Sequence, residues 1–134
     1  MSNSIALLVA RILLAAIFIQ AGWGKFFAID GTAGYIASVG LPAATLLAWA
    51  AAIFELAGGI AILVGFRTRE AAWALAAFSV FTGFAFHFHP ADQMQMINFM
   101  KNLAMAGGFL ALANAGAGAF SLDARRGALT PAAA

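Results

Sequence analysis

The chain has 134 residues, of which 64% are hydrophobic and 9% charged, with a formal net charge of +2 and a mean hydropathy of +0.95. Soluble domains carry about a quarter charged residues, so seven bases and five acids exclude a water-soluble globule, a disordered tail and a nucleic-acid binder whose basic residues form a run. Lipid is the main solvent. The absence of cysteine removes disulfides, thiol nucleophiles and thiolate-held metal or iron–sulfur centres.

A bilayer core of about 30 Å takes about 20 apolar residues per helix, and four such windows fit: 5–27, 46–66, 71–88 and 102–120. No ten-residue stretch alternates polar and apolar residues as barrel strands do. The expectation is therefore an all-α, four-helix transmembrane bundle. Between the first two spans, 28–45 is long enough for a short interfacial helix, capped by Thr32, with Tyr35, Ile36 and Val39 on one face and Gly40 and Pro42 as its stop. The connection 89–101 is amphipathic and suited to starting the last helix early. Residues 121–134 read as a mobile cytoplasmic tail. With four spans, Arg67, Arg69, Arg125 and Arg126 lie on the side of the amino terminus, opposite Lys25 and Lys101, and the positive-inside rule puts both ends in the cytoplasm.

The spans contain charges that need a purpose. Glu55 stands near the middle of the second span, where an acid costs roughly 2.5 to 3.5 kcal/mol, so it faces protein or water. Its helical neighbours Ala48, Ala51, Ala52, Gly58, Gly59 and Ile62 are mostly small and invite a close helix. Two readings stand: a polar clasp to Arg11 or Gln20, or a proton acceptor beside a ligand. For Arg11 the alternatives are a bridge to Glu55 and snorkelling to the headgroups; for Lys25, beside Trp23, snorkelling in an aromatic belt is favoured. His87 and His89, two apart, point to opposite sides of a helix, which disfavours metal and leaves interfacial anchoring ahead of proton exchange. Phe78, Phe81, Phe84, Phe86 and Phe88 read as packing or lipid-facing surface before a cofactor box.

Taken in order, Arg11, Gly22-Trp23-Gly24-Lys25-Phe26, Glu55-Leu56-Ala57-Gly58-Gly59, Gly65-Phe66-Arg67-Thr68-Arg69, Phe86-His87-Phe88, Asn98 to Ala104 with Gly107-Gly108, and Ser121-Leu122-Asp123 resemble the DoxX family over nearly the whole chain. The resemblance implies a four-helix protein of the bacterial inner membrane, named after the membrane component of a thiosulfate-oxidising, quinone-reducing complex. It implies a quinone-facing subunit that takes electrons from a partner protein carrying the redox centre, since this chain has no evident metal, flavin or haem site of its own. Glu55, Arg11 and His87 are then the candidates for the chemistry, and Trp23, Lys25, Phe84, Lys101 and Asn102 for holding the quinone. The rival reading is a non-catalytic scaffold for a partner enzyme, and a small anion or proton carrier ranks below both. Glycine-rich faces are compatible with a homo-oligomer.

Overall fold

A computed structural model describes residues 3–129. Six α-helices follow one another: α1 Asn3–Phe26, α2 Ile29–Ser38, α3 Ala44–Val64, α4 Thr68–Thr82, α5 Gln93–Ala115 and α6 Leu122–Leu129, with a π-helical turn, Gly83–His87, continuing α4. No strand occurs among the described residues. Helices α1, α3 and α5 are each long and apolar enough to cross a bilayer. Fifteen residues of α4 and five of the π turn make a rod of similar length. The protein is an all-α membrane bundle.

The packing of α1 on α3 follows from residue size. The buried positions of α3, Ala48, Ala52, Glu55, Gly59 and Ile62, recur every three or four residues and form one stripe. The small residues on it let the backbones close up: a Cβ on Gly22 of α1 would lie 2.5 Å from the Leu56 nitrogen and 2.9 Å from the Ala52 oxygen, and one on Gly59 2.8 Å from Ile19 Cγ1. The second pair is α4 with α5. The two pairs share one apolar centre, where Phe18 and Phe109 meet edge to face at 5.4 Å in a buried cluster that includes Ile62 and Leu75. Outside that centre, Leu13, Leu46 and Trp73 are exposed, as expected of a surface wetted by lipid.

Helix α2 lies on α3 through Ala33 and Ile36, which pack on Ala48. It begins earlier than Thr32, whose hydroxyl bonds back to the Ala28 carbonyl at 2.9 Å instead of capping the helix. Gly40 ends it in the left-handed region, φ 80°, as its sequence position foretold. Helix α5 starts at Gln93, capped by the Asp92 carboxylate, which accepts from the Met94 and Gln95 amides at 3.0 and 3.1 Å.

Arg11 and the carboxy-terminal segment depart from expectation together. The Arg11 guanidinium is buried and donates to the carbonyls of Ala117 at 2.8 Å, Phe120 at 2.7 Å and Leu63 at 3.3 Å. Leu63 belongs to the last turn of α3, where carbonyls lack helical partners and a cation is favoured by the helix dipole. Gly65 follows with φ 68°, and any side chain there would collide with the guanidinium and Ser121. Arg11 therefore neither snorkels nor reaches Glu55; it fastens the end of α3 to the 117–120 loop. Residues 121–129 are likewise no free tail. Asp123 accepts from the Arg67 and Thr68 amides at 2.8 and 2.9 Å, capping α4 from a distant part of the chain. Partial burial pushes the Asp123 carboxyl up, but the Thr68 and Arg67 donors and the Arg126 charge outweigh it and hold it below the ordinary aspartate range. The remainder of the expected tail, 130–134, lies outside the described residues.

Candidate functional site

Because α1 docks low on α3, with Arg11 against Gly65, the level of Glu55 falls near Gly22, about 15 Å along the bundle from Arg11. Lys25, one turn beyond Gly22, folds back to it. Its ammonium lies 2.7 Å from Glu55 Oε2 in an ion pair whose lysine is a quarter exposed and whose glutamate is 7% exposed. The clasp thus exists with a different partner from the two considered, and the aromatic-belt reading of Lys25 is corrected: the stem reaches inward, and its ammonium neutralises the shielded Glu55 carboxylate.

This pair borders a cavity of about 710 Å³ between α1, α2, α3, the end of α4 and α5. Most of the wall is apolar, with Phe18, Phe54, Phe78, Phe81 and Phe86 among it. Phe78 packs against Phe18 and Phe54, so part of the phenylalanine stripe serves core and cavity at once. Polar groups converge at a few points only. His87 lines the cavity, and its Nδ1 lies 2.8 Å from Gln95 Oε1; with the amide oxygen accepting, Nδ1 carries the proton and Nε2 is the open acceptor. Thr82 donates to the Phe78 carbonyl at 2.9 Å and lies 3.3 Å from Asn102 Oδ1, while Asn102 Nδ2 donates to Asn98 O at 3.0 Å. Tyr35 of α2 donates to the Phe86 carbonyl at 3.2 Å, with the two rings 5.3 Å apart. Phe86 is in the last turn before the break, where carbonyls lack helical N–H donors, and π turns recur at functional sites.

Of the residues singled out from sequence, the fold brings Glu55, Lys25, His87 and Asn102 to this one cavity. It does not bring the others. Arg11 is committed to carbonyls. Trp23 is 59% exposed and meets Phe27 edge to face; Phe84 is 55% exposed and packs on Phe88 and Phe99; Lys101 is exposed. Sequence reasoning passed over Tyr35, Thr82 and Gln95. Thr82 and Gln95 give no signal beyond being polar near a span end, and Tyr35 looks like any interfacial aromatic until α2 is folded back across the cavity.

The DoxX family model matches residues 6–88. The chain belongs to the DoxX family. That match spans α1 through the π turn, and so covers Lys25, Glu55 and His87. This DoxX protein is 44% identical over 121 residues to inner membrane protein YqjF of Escherichia coli K12, covering 90% of this chain and 92% of the relative. It is 40% identical over 129 residues to inner membrane protein YphA of the same organism, with 92% of each chain covered. A more distant relative, putative oxidoreductase CatD of Bacillus subtilis 168, is 35% identical over 68 residues, about half of each chain. No solved structure matches.

Proposed function

We propose that this DoxX protein crosses the bacterial inner membrane four times, with both ends in the cytoplasm, and that its cavity receives the head group of a membrane quinone reduced with electrons from a partner protein. The four-pass arrangement rests on charge. Arg67, Arg69 and Arg126 gather at the end of the bundle that holds the start of α1: Arg67 and Asp123 meet there, Arg69 reaches Asn114 O, Arg126 lies over Phe66, and Ser4 Oγ accepts from the Ala119 amide. Lys25 is at the other end, and the basic end faces the cytoplasm.

The quinone reading rests on one observation above others: an apolar, aromatic-walled cavity of about 710 Å³ bordered by an acid–base pair with a buried acid and by a histidine. Small-molecule sites are of this size and are lined in this way, with a few placed polar groups. The residues fit the group. Phe54, Phe78 and Phe86 supply faces for a flat ring; the second Nδ2 hydrogen of Asn102 is a donor for one of its carbonyl oxygens, while the Thr82 hydroxyl, its proton on the Phe78 carbonyl, and His87 Nε2 offer acceptors for the hydroxyls of the reduced ring. A bound quinone supplies an acceptor for two electrons and two protons. For the protons, the Lys25–Glu55 pair and His87 Nε2 are the exchangeable groups facing the cavity. The partial relative named a putative oxidoreductase agrees with redox work by the assembly.

Gentle extraction from native membranes, followed by mass spectrometry of the intact assembly and of its organic extract, tests this. Co-purified quinone that is lost in Asn102→Leu or Phe78→Ala, together with a co-purifying redox protein, supports the reading. A folded assembly that carries no quinone and reduces none with any thiol or sulfur donor leaves the scaffold role in its place.

A further inference from the structure

Beside the main cavity lies a smaller one of about 360 Å³, in the elbow between the end of α1 and the start of α2. The two share Ile17, Ala21, Lys25 and Thr32 in their walls. The smaller is completed by Gln20 and Gly24, one turn apart on α1, and by Ala28 in the link to α2. Its character differs from that of its neighbour: an amide, an ammonium and a hydroxyl are among its seven lining residues. Gln20 is exposed, and Gly24 has open space where a side chain would start. The Thr32 hydroxyl spends its proton on the Ala28 carbonyl and so turns acceptor lone pairs to the space. At about 30 Å³ per water the elbow holds several.

Lys25 is the boundary between the two spaces. Its side chain is 25% exposed and that of Glu55 7%, and of the two only Lys25 lines the elbow. We propose that the elbow is a hydrated proton inlet, in which Gln20 and Thr32 hold water against Lys25 and Lys25 hands protons to Glu55. In this relay the Lys25 ammonium gives one proton to the Glu55 carboxylate, leaving a neutral amine and a neutral acid. Water in the elbow then returns a proton from bulk to the amine. Glu55 keeps the transferred proton for a ligand in the main cavity. What the protons are for rests on the quinone reading; that they enter at the elbow does not.

The chain has no cysteine, so single cysteines report water directly. Gln20→Cys, Thr32→Cys, Lys25→Cys, Ala51→Cys and Glu55→Cys are treated, in sealed spheroplasts, with a charged, membrane-impermeant methanethiosulfonate. The control is Leu13→Cys on the lipid-facing surface. The expected order is fast labelling at positions 20, 32 and 25, labelling several-fold slower at 51 and 55, and none at 13. Labelling at 20 and 32 by a lipid-soluble maleimide alone makes the elbow an acyl-chain groove and overturns the proposal. Positions 51 and 55 reacting as fast as 25 overturns the relay, because water then meets the acid without the lysine. Labelling in the expected order only from inverted vesicles supports the inlet and overturns the four-pass orientation instead. Absence of quinone from the purified protein would leave all these rates unchanged.

Discussion

Lys25 Nζ and Glu55 Oε2 lie 2.7 Å apart although they come from the end of one helix and the middle of another, and the acid is nearly inaccessible. A buried pair contributes little net stability against an apolar substitute, but removing one member strands the other at a cost of about 3 to 5 kcal/mol. Lys25→Met strands a shielded carboxylate. Glu55→Gln leaves a lysine that is already a quarter exposed and can turn to the interface. The first variant should therefore lower the melting temperature of the detergent-solubilised protein more than the second, and the double variant should recover much of the loss. Equal and additive losses in a double-mutant cycle would mean that the contact carries no coupling.

Two glycines of α1, two residues and so about half a turn apart, make opposite predictions. Gly22→Ala places a methyl group within 2.5 Å of the Leu56 nitrogen, a backbone atom that cannot swing aside, so α1 and α3 must separate. Overpacking of this kind costs about 1 to 3 kcal/mol. Gly24→Ala meets nothing within 4 Å and gains helix propensity of up to about 1 kcal/mol. Thermal denaturation should show Gly22→Ala clearly destabilised and Gly24→Ala neutral or stabilised.

What could be read from the sequence followed from periodicity. The stripe Ala48, Ala52, Glu55, Gly59 and Ile62 shows itself as small residues at helical spacing around one acid, so burial of Glu55 against a close neighbour was legible. The identity of its base was not. That depends on how far α1 slides along α3, and the slide is fixed by contacts distant in sequence: Arg11 on the Leu63 carbonyl, Gly22 against Ala52 and Leu56, and Gly59 against Ile19. Counting turns from the expected span ends places Arg11 and Glu55 one turn apart; the fold puts Lys25 in that place. His87 was legible as a titratable group at a span end, but its orientation comes from Gln95 on the next helix. Tyr35 and Asp123 act on partners 51 and 56 residues distant, and no local pattern announces such contacts.

Arg11 makes a test of structure against chemistry. Arg11→Lys keeps the charge but replaces a planar fork by a single point donor, leaving carbonyls among Leu63, Ala117 and Phe120 unpaired in a site closed to water. Each buried unpaired group costs about 1 to 3 kcal/mol. The yield of folded protein and its melting temperature should fall, while the fraction that does fold should carry the same amount of co-purified quinone as the wild type. Loss of that quinone at unchanged stability would place Arg11 in the site after all.

Asp123 links the carboxy-terminal helix to the start of α4, and the sign of its pH dependence follows from its depressed pKa. A carboxyl held below its unfolded value, about 3.9, contributes stability that is fully present above that value and is lost as pH falls through the folded one. At neutral pH the two amide contacts to Arg67 and Thr68 hold α6 down; below about pH 4 they weaken as the carboxyl takes up its proton. Asp123→Ala should reproduce the acid state at neutral pH, exposing the Arg125 and Arg126 bonds to trypsin several-fold faster than in the wild type, with the cavity residues unaffected. Asp123→Asn retains one acceptor oxygen for two amides and should fall between. Hydrogen exchange at the Arg67 and Thr68 amides reads the same contact without a protease, and protection there that survives both Asp123→Ala and acid would show that something other than this carboxylate caps α4.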